Sequence, residues 1–199
     1  MNTYQILIEY VGTNFVGWQI QKNGLSIQEV IQKALKKIIK KKIIIFGSGR
    51  TDAGVHAFAQ SAHFRTNYNI NNKQKFVKSL NFFLSKYYVS ILDIKKRNKN
   101  FHARYSAKKR QYKYIIINRT SSLSLEKNRA WNIRKKLNIS KMKSGLKLLL
   151  GKKDFSTFRA SSCNANSPIR TINQASLKKV GDNRLEIIFV SQSFLQQQV

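Results

Sequence analysis

The chain has 199 residues, 42% apolar and 11% aromatic, enough to bury a core as one large domain or two small ones. No apolar run reaches the roughly 18 residues of a membrane span, the start Met1-Asn2-Thr3-Tyr4-Gln5 does not read as a signal peptide, and a single cysteine, Cys163, excludes an internal disulfide framework and fits a reducing, cytoplasmic compartment. The 38 Lys and Arg against 8 Asp and Glu give a formal charge of +30, a field that attracts polyanions such as nucleic acid, although an AT-rich genome can also load lysine onto a surface.

The chain opens with alternation. Tyr4, Ile6, Ile8 and Tyr10 share one face of an expected strand, and Gln5, Leu7 and Glu9 the other. A loop, Gly12-Thr13-Asn14-Phe15-Val16-Gly17-Trp18-Gln19, precedes the clearest helix signal, in which Ser26 is the N-cap and Glu29 completes a capping box. Ile27, Val30, Ile31, Ala34, Leu35 and Ile38 form its apolar stripe, and Lys36, Lys37, Lys40, Lys41 and Lys42 crowd the end where the helix dipole favours cations. Ile43-Ile44-Ile45-Phe46 reads as a buried strand.

A further strand is expected over 58–64, a helix over about 72–84 with Phe76, Val77, Leu80, Phe83 and Leu84 inward, and strands over 88–94 and 112–117. A third helix over 140–150 should stop at Gly151. Strands over 171–180 and 184–190 flank Gly181-Asp182-Asn183, a hairpin turn. Strands and helices mix without regular βαβ alternation, so the expected class is α+β with a mixed, largely antiparallel sheet. A polar break near 95–106 suggests two halves, 1–105 and 106–199.

Between the first helix and the strand at 58–64 lies Gly47-Ser48-Gly49-Arg50-Thr51-Asp52-Ala53-Gly54-Val55-His56. It sets one carboxylate among three glycines, a cation and a hydroxyl, a composition for a tight loop rather than a helix or strand. It is not a Rossmann fingerprint, which needs glycine at Asp52, nor a Walker A loop, which needs Lys-Ser or Lys-Thr after Gly54. Asp52 either caps a turn or pairs with Arg50, or it is a nucleophile or general base kept ionised by nearby cations.

A second cluster, from Phe101 to Tyr114, interleaves five cations with three tyrosines. It is either a surface that grips phosphates and stacks on a displaced base, or an edge strand with core tyrosines. Asp154-Phe155-Ser156-Thr157-Phe158-Arg159 reads as a short extended segment with two core phenylalanines. Trp18 and Trp131 read as packing residues. His56, His63 and His102 are dispersed and lack the spacing of a metal centre.

Taken together these segments resemble the tRNA pseudouridine synthase A family. Residues 49–57, with Gln60 and His63-Phe64, resemble its active-site motif; Gly12 and Gly17-Trp18-Gln19 its N-terminal loop; Phe101-His102-Ala103-Arg104 with Tyr112-Lys113-Tyr114 its second motif; and Asp154 to Arg159 with Arg170-Thr171-Ile172 its third. The resemblance implies a pseudouridine synthase-like α+β fold with helices packed on one face of the sheet. It further implies a cytoplasmic homodimer that isomerises uridine to pseudouridine at nucleotides 38–40 of the tRNA anticodon stem-loop, with no cofactor or metal. Asp52 would be the catalytic carboxylate, Tyr112 would stack on the target uracil, and Arg50 and Arg104 would contact the substrate. The family pattern continues past the segment matching Phe194-Leu195 with two histidines and an arginine that contacts the catalytic Asp. Here Gln196-Gln197-Gln198-Val199 follow. That departure implies a C-terminal half shortened relative to the family, an Asp52 without its basic partner and some uncovered apolar surface. The alternative it leaves is a weakened or inactive tRNA-binding protein or RNA chaperone of the same fold.

Overall fold

A computed structural model describes every residue, Met1–Val199. The chain forms two compact units, Met1–Ala107 and Lys108–Val199, each with its own sheet. The fold is α+β, and no helix is long and apolar enough to cross a membrane.

In the first unit, β1 (Asn2–Tyr10), β2 (Ile45–Gly47), β3 (Ala57–Thr66) and β4 (Val89–Arg97) form an antiparallel sheet in the order β2-β3-β1-β4. Helices α1 (Ile27–Ile39) and α2 (Lys73–Leu84) contribute Ile27, Val30, Ile31 and Leu35, and Phe76, Leu80 and Leu84, to one core with Tyr4, Ile6, Ile8 and Phe64 of the strands. The alternation read in β1 is therefore the buried face of the sheet. In β4 the buried residues are Val89, Ile91 and Ile94, a change of parity. A bulge at Leu92 absorbs it, so that Val89, Ile91 and Ile94 still oppose Tyr10, Ile8 and Ile6.

Ser26 caps α1 by accepting the Glu29 N–H at 3.2 Å. The Glu29 carboxylate, however, pairs forward with Lys33 at 2.6 Å, one helical turn on. The helix closes at Lys40, a lysine in the left-handed region with φ 61°. The run Ile43-Ile44-Ile45-Phe46 is not a buried strand. Only Ile45 and Phe46 of the run enter the short edge strand β2, and burial alternates: Ile43 and Ile45 are buried, Ile44 and Phe46 exposed. Extended backbone sends neighbours to opposite faces, and only one face of this sheet carries helices. The charged residues 95–97 form the end of β4, paired with residues 3–5 of β1.

In the second unit, β5 (Arg110–Asn118), β6 (Trp131–Ile133), β7 (Gly151–Asp154), β8 (Ile169–Val180) and β9 (Arg184–Ser191) form a sheet in the order β6-β5-β9-β8-β7, in which only the β5–β6 pair is parallel. The β8–β9 hairpin turns at Gly181, φ 65°. Helix α3 (Ile139–Leu148) ends at Leu149, and Gly151, φ 88°, opens β7 instead of ending the helix. Ile116, Leu146, Leu177 and Leu185 form one core, and Phe155, Ile172 and Leu195 a second.

Two aromatic segments differ from the expected packing. Asp154 accepts the Ser156 N–H at 2.7 Å and starts a 3-10 turn, Ser156–Phe158, so the segment is not extended. The turn buries Phe155 but leaves Phe158 half exposed. Trp131 is mostly exposed on an edge strand and meets Tyr114 edge to face, whereas Trp18 is buried.

Candidate active site

The loop between β2 and β3 carries Arg50 and Asp52, and its path is fixed from two sides. Along β3, the Ser48 N–H donates to the Ser61 carbonyl at 2.7 Å, and Gln60 Nε2 donates to the Gly49 carbonyl at 2.6 Å. From the end of β1 and the loop after it, the Trp18 N–H donates to the Thr51 carbonyl at 3.0 Å, the hydroxyls of Tyr10 and Thr51 lie 2.8 Å apart, and the Gly12 N–H donates to His56 Nδ1 at 3.3 Å. The Val55 N–H closes a turn on the Asp52 carbonyl at 3.2 Å, with Gly54 at φ 78°.

Two glycines make this approach possible. A Cβ on Gly12 would sit 2.0 Å from the Val55 carbonyl oxygen. A Cβ on Gly17 would sit 2.6 Å from the Thr51 carbonyl oxygen, and Gly17 also adopts φ 109°. Backbone passes backbone at a separation no side chain allows.

Asp52 is exposed, and its carboxylate takes part in no hydrogen bond or ion pair. Neither structural use of a loop aspartate is realised: the side chain caps no turn and does not pair with Arg50, which is itself exposed. By contrast, Glu29, Asp93, Glu126 and Glu186 are held in ion pairs, and Asp154 bonds the Ser156 N–H. A carboxylate held by its backbone but not by its side chain is open to a substrate.

Arg104 belongs to the same unit, in the turn after β4. Its N–H donates to His102 Nδ1 at 3.2 Å and its guanidinium lies 5.8 Å from the centre of the Tyr105 ring. Tyr112 lies on β5 of the other unit, half-buried and edge-on to Phe194 at 5.1 Å. Arg50 and Asp52 thus share one loop, Arg104 stands on another segment of the first unit, and Tyr112 belongs to the second unit.

The histidines are less dispersed than their spacing suggests. The rings of His63 and His102 lie 4.6 Å apart, and Phe46 stacks on His63 at 5.2 Å. Burial lowers the His63 pKa to about 4, helped by charge repulsion from His102 and Arg65. Nowhere do three or more His, Cys, Asp or Glu converge as metal ligands would.

The sequence reading did not assign Tyr10 to the site. It follows the core alternation of its strand, and nothing in the sequence links its hydroxyl to a threonine 41 residues on.

Comparison with known proteins agrees with these features. The family model described as tRNA pseudouridine synthase matches residues 6–106 and 146–199. The chain is 61% identical over 199 residues to the tRNA pseudouridine synthase A of Pelagibacter ubique, covering 100% of this chain and 80% of that protein. It is 41% identical over 202 residues to the tRNA pseudouridine synthase A of Ehrlichia canis, and 43% identical over 198 residues to that of Ehrlichia chaffeensis, covering 98% of this chain and 80% of the relative in each case.

Proposed function

This chain belongs to the tRNA pseudouridine synthase family, and we propose that it converts uridine to pseudouridine at nucleotides 38–40 of the tRNA anticodon stem-loop, with Asp52 as the catalytic carboxylate. Relatives named tRNA pseudouridine synthase A support the reaction and the tRNA substrate. The observation that carries the role of Asp52 is its exposed carboxylate, without an internal partner, on a loop clamped from both sides.

The reaction breaks the bond between ribose C1′ and N1, turns the uracil and joins C1′ to C5. The C5 proton leaves as N1 gains one, so the change is a redox-neutral isomerisation. Ionised Asp52 serves either by bonding to C1′ or by taking the C2′ proton. Tyr112 stacks on the uracil, and Arg50 holds the place of the extruded nucleotide, with Arg104 contacting the substrate backbone. Extruding a stacked base costs roughly a few kcal/mol, and phosphate contacts with the +30 surface offset it. The active protein is a cytoplasmic homodimer.

Tritium release from tRNA labelled at uridine C5 tests the reading. The chain should release tritium, Asp52→Ala should abolish release while still binding tRNA, and binding should weaken steeply with salt. Turnover that survives Asp52→Ala would remove that residue from the chemistry.

A further inference from the structure

We propose that Tyr10 is a positioning residue for Asp52, acting through the hydroxyl of Thr51; this rests on the catalytic role of Asp52. Because the Asp52 carboxylate makes no bond of its own within the protein, its direction is set by the backbone that carries it. The residue immediately before it, Thr51, is held at three points. Its carbonyl accepts the Trp18 N–H at 3.0 Å, the Gly17 backbone lies against the same carbonyl, and its hydroxyl meets the Tyr10 hydroxyl at 2.8 Å.

Only the last of these contacts is made by a side chain on each partner. The Tyr10 ring cannot drift. It is 2% exposed, ends the buried face of β1, and packs beside Trp18 with ring centres 6.3 Å apart. Trp18 in turn has the Gly47 backbone against its indole. Packing alone is served by aliphatic Ile6 and Ile8 on the same face, so the phenol at Tyr10 carries something more than volume. Tyr4, the other tyrosine on that face, spends its hydroxyl on a structural latch, accepting the Ile70 N–H at 3.1 Å. Tyr10 spends one on the residue adjoining the reactive acid. Small displacements of a reacting group cost rate far more than they cost binding.

The test compares Tyr10→Phe, Thr51→Val, their double variant and Thr51→Ser in the tritium-release assay, with tRNA Kd measured on each. Tyr10→Phe should lower kcat about tenfold at unchanged tRNA Kd. Thr51→Val should do the same, the double variant should be no slower than either single one, and Thr51→Ser should recover turnover relative to Thr51→Val. Tyr10→Phe with wild-type kcat, a loss that appears in tRNA Kd instead, or multiplying losses in the double variant would each overturn the assignment. Asp52→Asn, run alongside, separates the two levels. Retained turnover there would overturn the catalytic reading itself, whereas an inactive Asp52→Asn beside a fully active Tyr10→Phe would overturn only the positioning role.

Discussion

The imidazole of His63 accepts the backbone N–H of Ala103 at 3.2 Å, in the interior of the first unit. This one bond fastens the turn bearing Arg104 to strand β3. It also requires a neutral ring, because a protonated imidazole has no lone pair to offer.

Acid should therefore loosen this turn. Burial lowers the His63 pKa from 6.5 to about 4, so between those values the unfolded chain binds a proton that the folded chain refuses. The contribution is complete above pH 6.5 and is lost as pH falls towards 4. Melting curves across that window should show Tm dropping in the wild type. His63→Gln, which offers a neutral acceptor at every pH, should show a shallower drop, and equal slopes would show that His63 does not govern it.

Gly12 and Gly54 should respond to alanine for different reasons. At Gly54 nothing lies within 4 Å of the new methyl, but φ is 78°, so the cost is backbone strain of about 1 kcal/mol. At Gly12 the methyl would lie 2.0 Å from the Val55 carbonyl, and the Asp52 loop itself must move. Gly12→Ala should lower kcat for tritium release by more than about tenfold, at a stability cost of about 1–3 kcal/mol. Urea titration and single-turnover kinetics read the two effects separately.

Local signals in the sequence carried much of this architecture. The Ser26 cap, the stripe from Ile27 to Leu35 and the Gly181 hairpin depend on neighbours a few residues apart, and short-range chemistry settles them. Features that depend on a distant partner were not legible. Whether Ile44 is buried depends on which side of the sheet the helices cover. That His63 and His102 meet depends on how the chain returns after β4. In the candidate site, Asp52 was conspicuous as an acid among glycines, whereas the Tyr10 hydroxyl was concealed by a core pattern it also satisfies.

The two phenylalanines of the third motif should differ sharply. Phe155 is 4% exposed in a core with Ile172 and Leu195, so Phe155→Ala should cost about 3–5 kcal/mol. Phe158 is 50% exposed, and Phe158→Ser should stay within about 1 kcal/mol of wild type. Chemical denaturation of both variants checks this, and comparable losses would place Phe158 in the core after all.

Glu186 is the electrostatic centre of the second unit. It accepts from Lys113 at 2.8 Å and from Arg184 at 2.9 Å, and Arg184 reaches on to Glu126 at 2.8 Å. The hydrogen bond from Lys113, then that from Arg184, hold its carboxyl below the ordinary 4.5. Such a group stabilises the fold above pH 4.5, and its contribution is lost as pH falls through the lowered value. Its side chain is only 13% exposed, so removing it leaves Lys113 without its partner and subject to repulsion from Arg184, which keeps only Glu126. Glu186→Ala should cost about 2 kcal/mol at neutral pH, between the small worth of a surface pair and the larger loss from a buried one. In a protein with 38 cations that repulsion has few acids to relieve it, so added salt should recover part of the loss. Glu186→Gln should keep a hydrogen-bond acceptor, fall between wild type and alanine, and flatten the acid limb of the stability curve. Calorimetry at pH 7 and pH 4 in low and high salt reads all three. A Glu186→Ala variant as stable as wild type at pH 7 would show that the two cations find other partners.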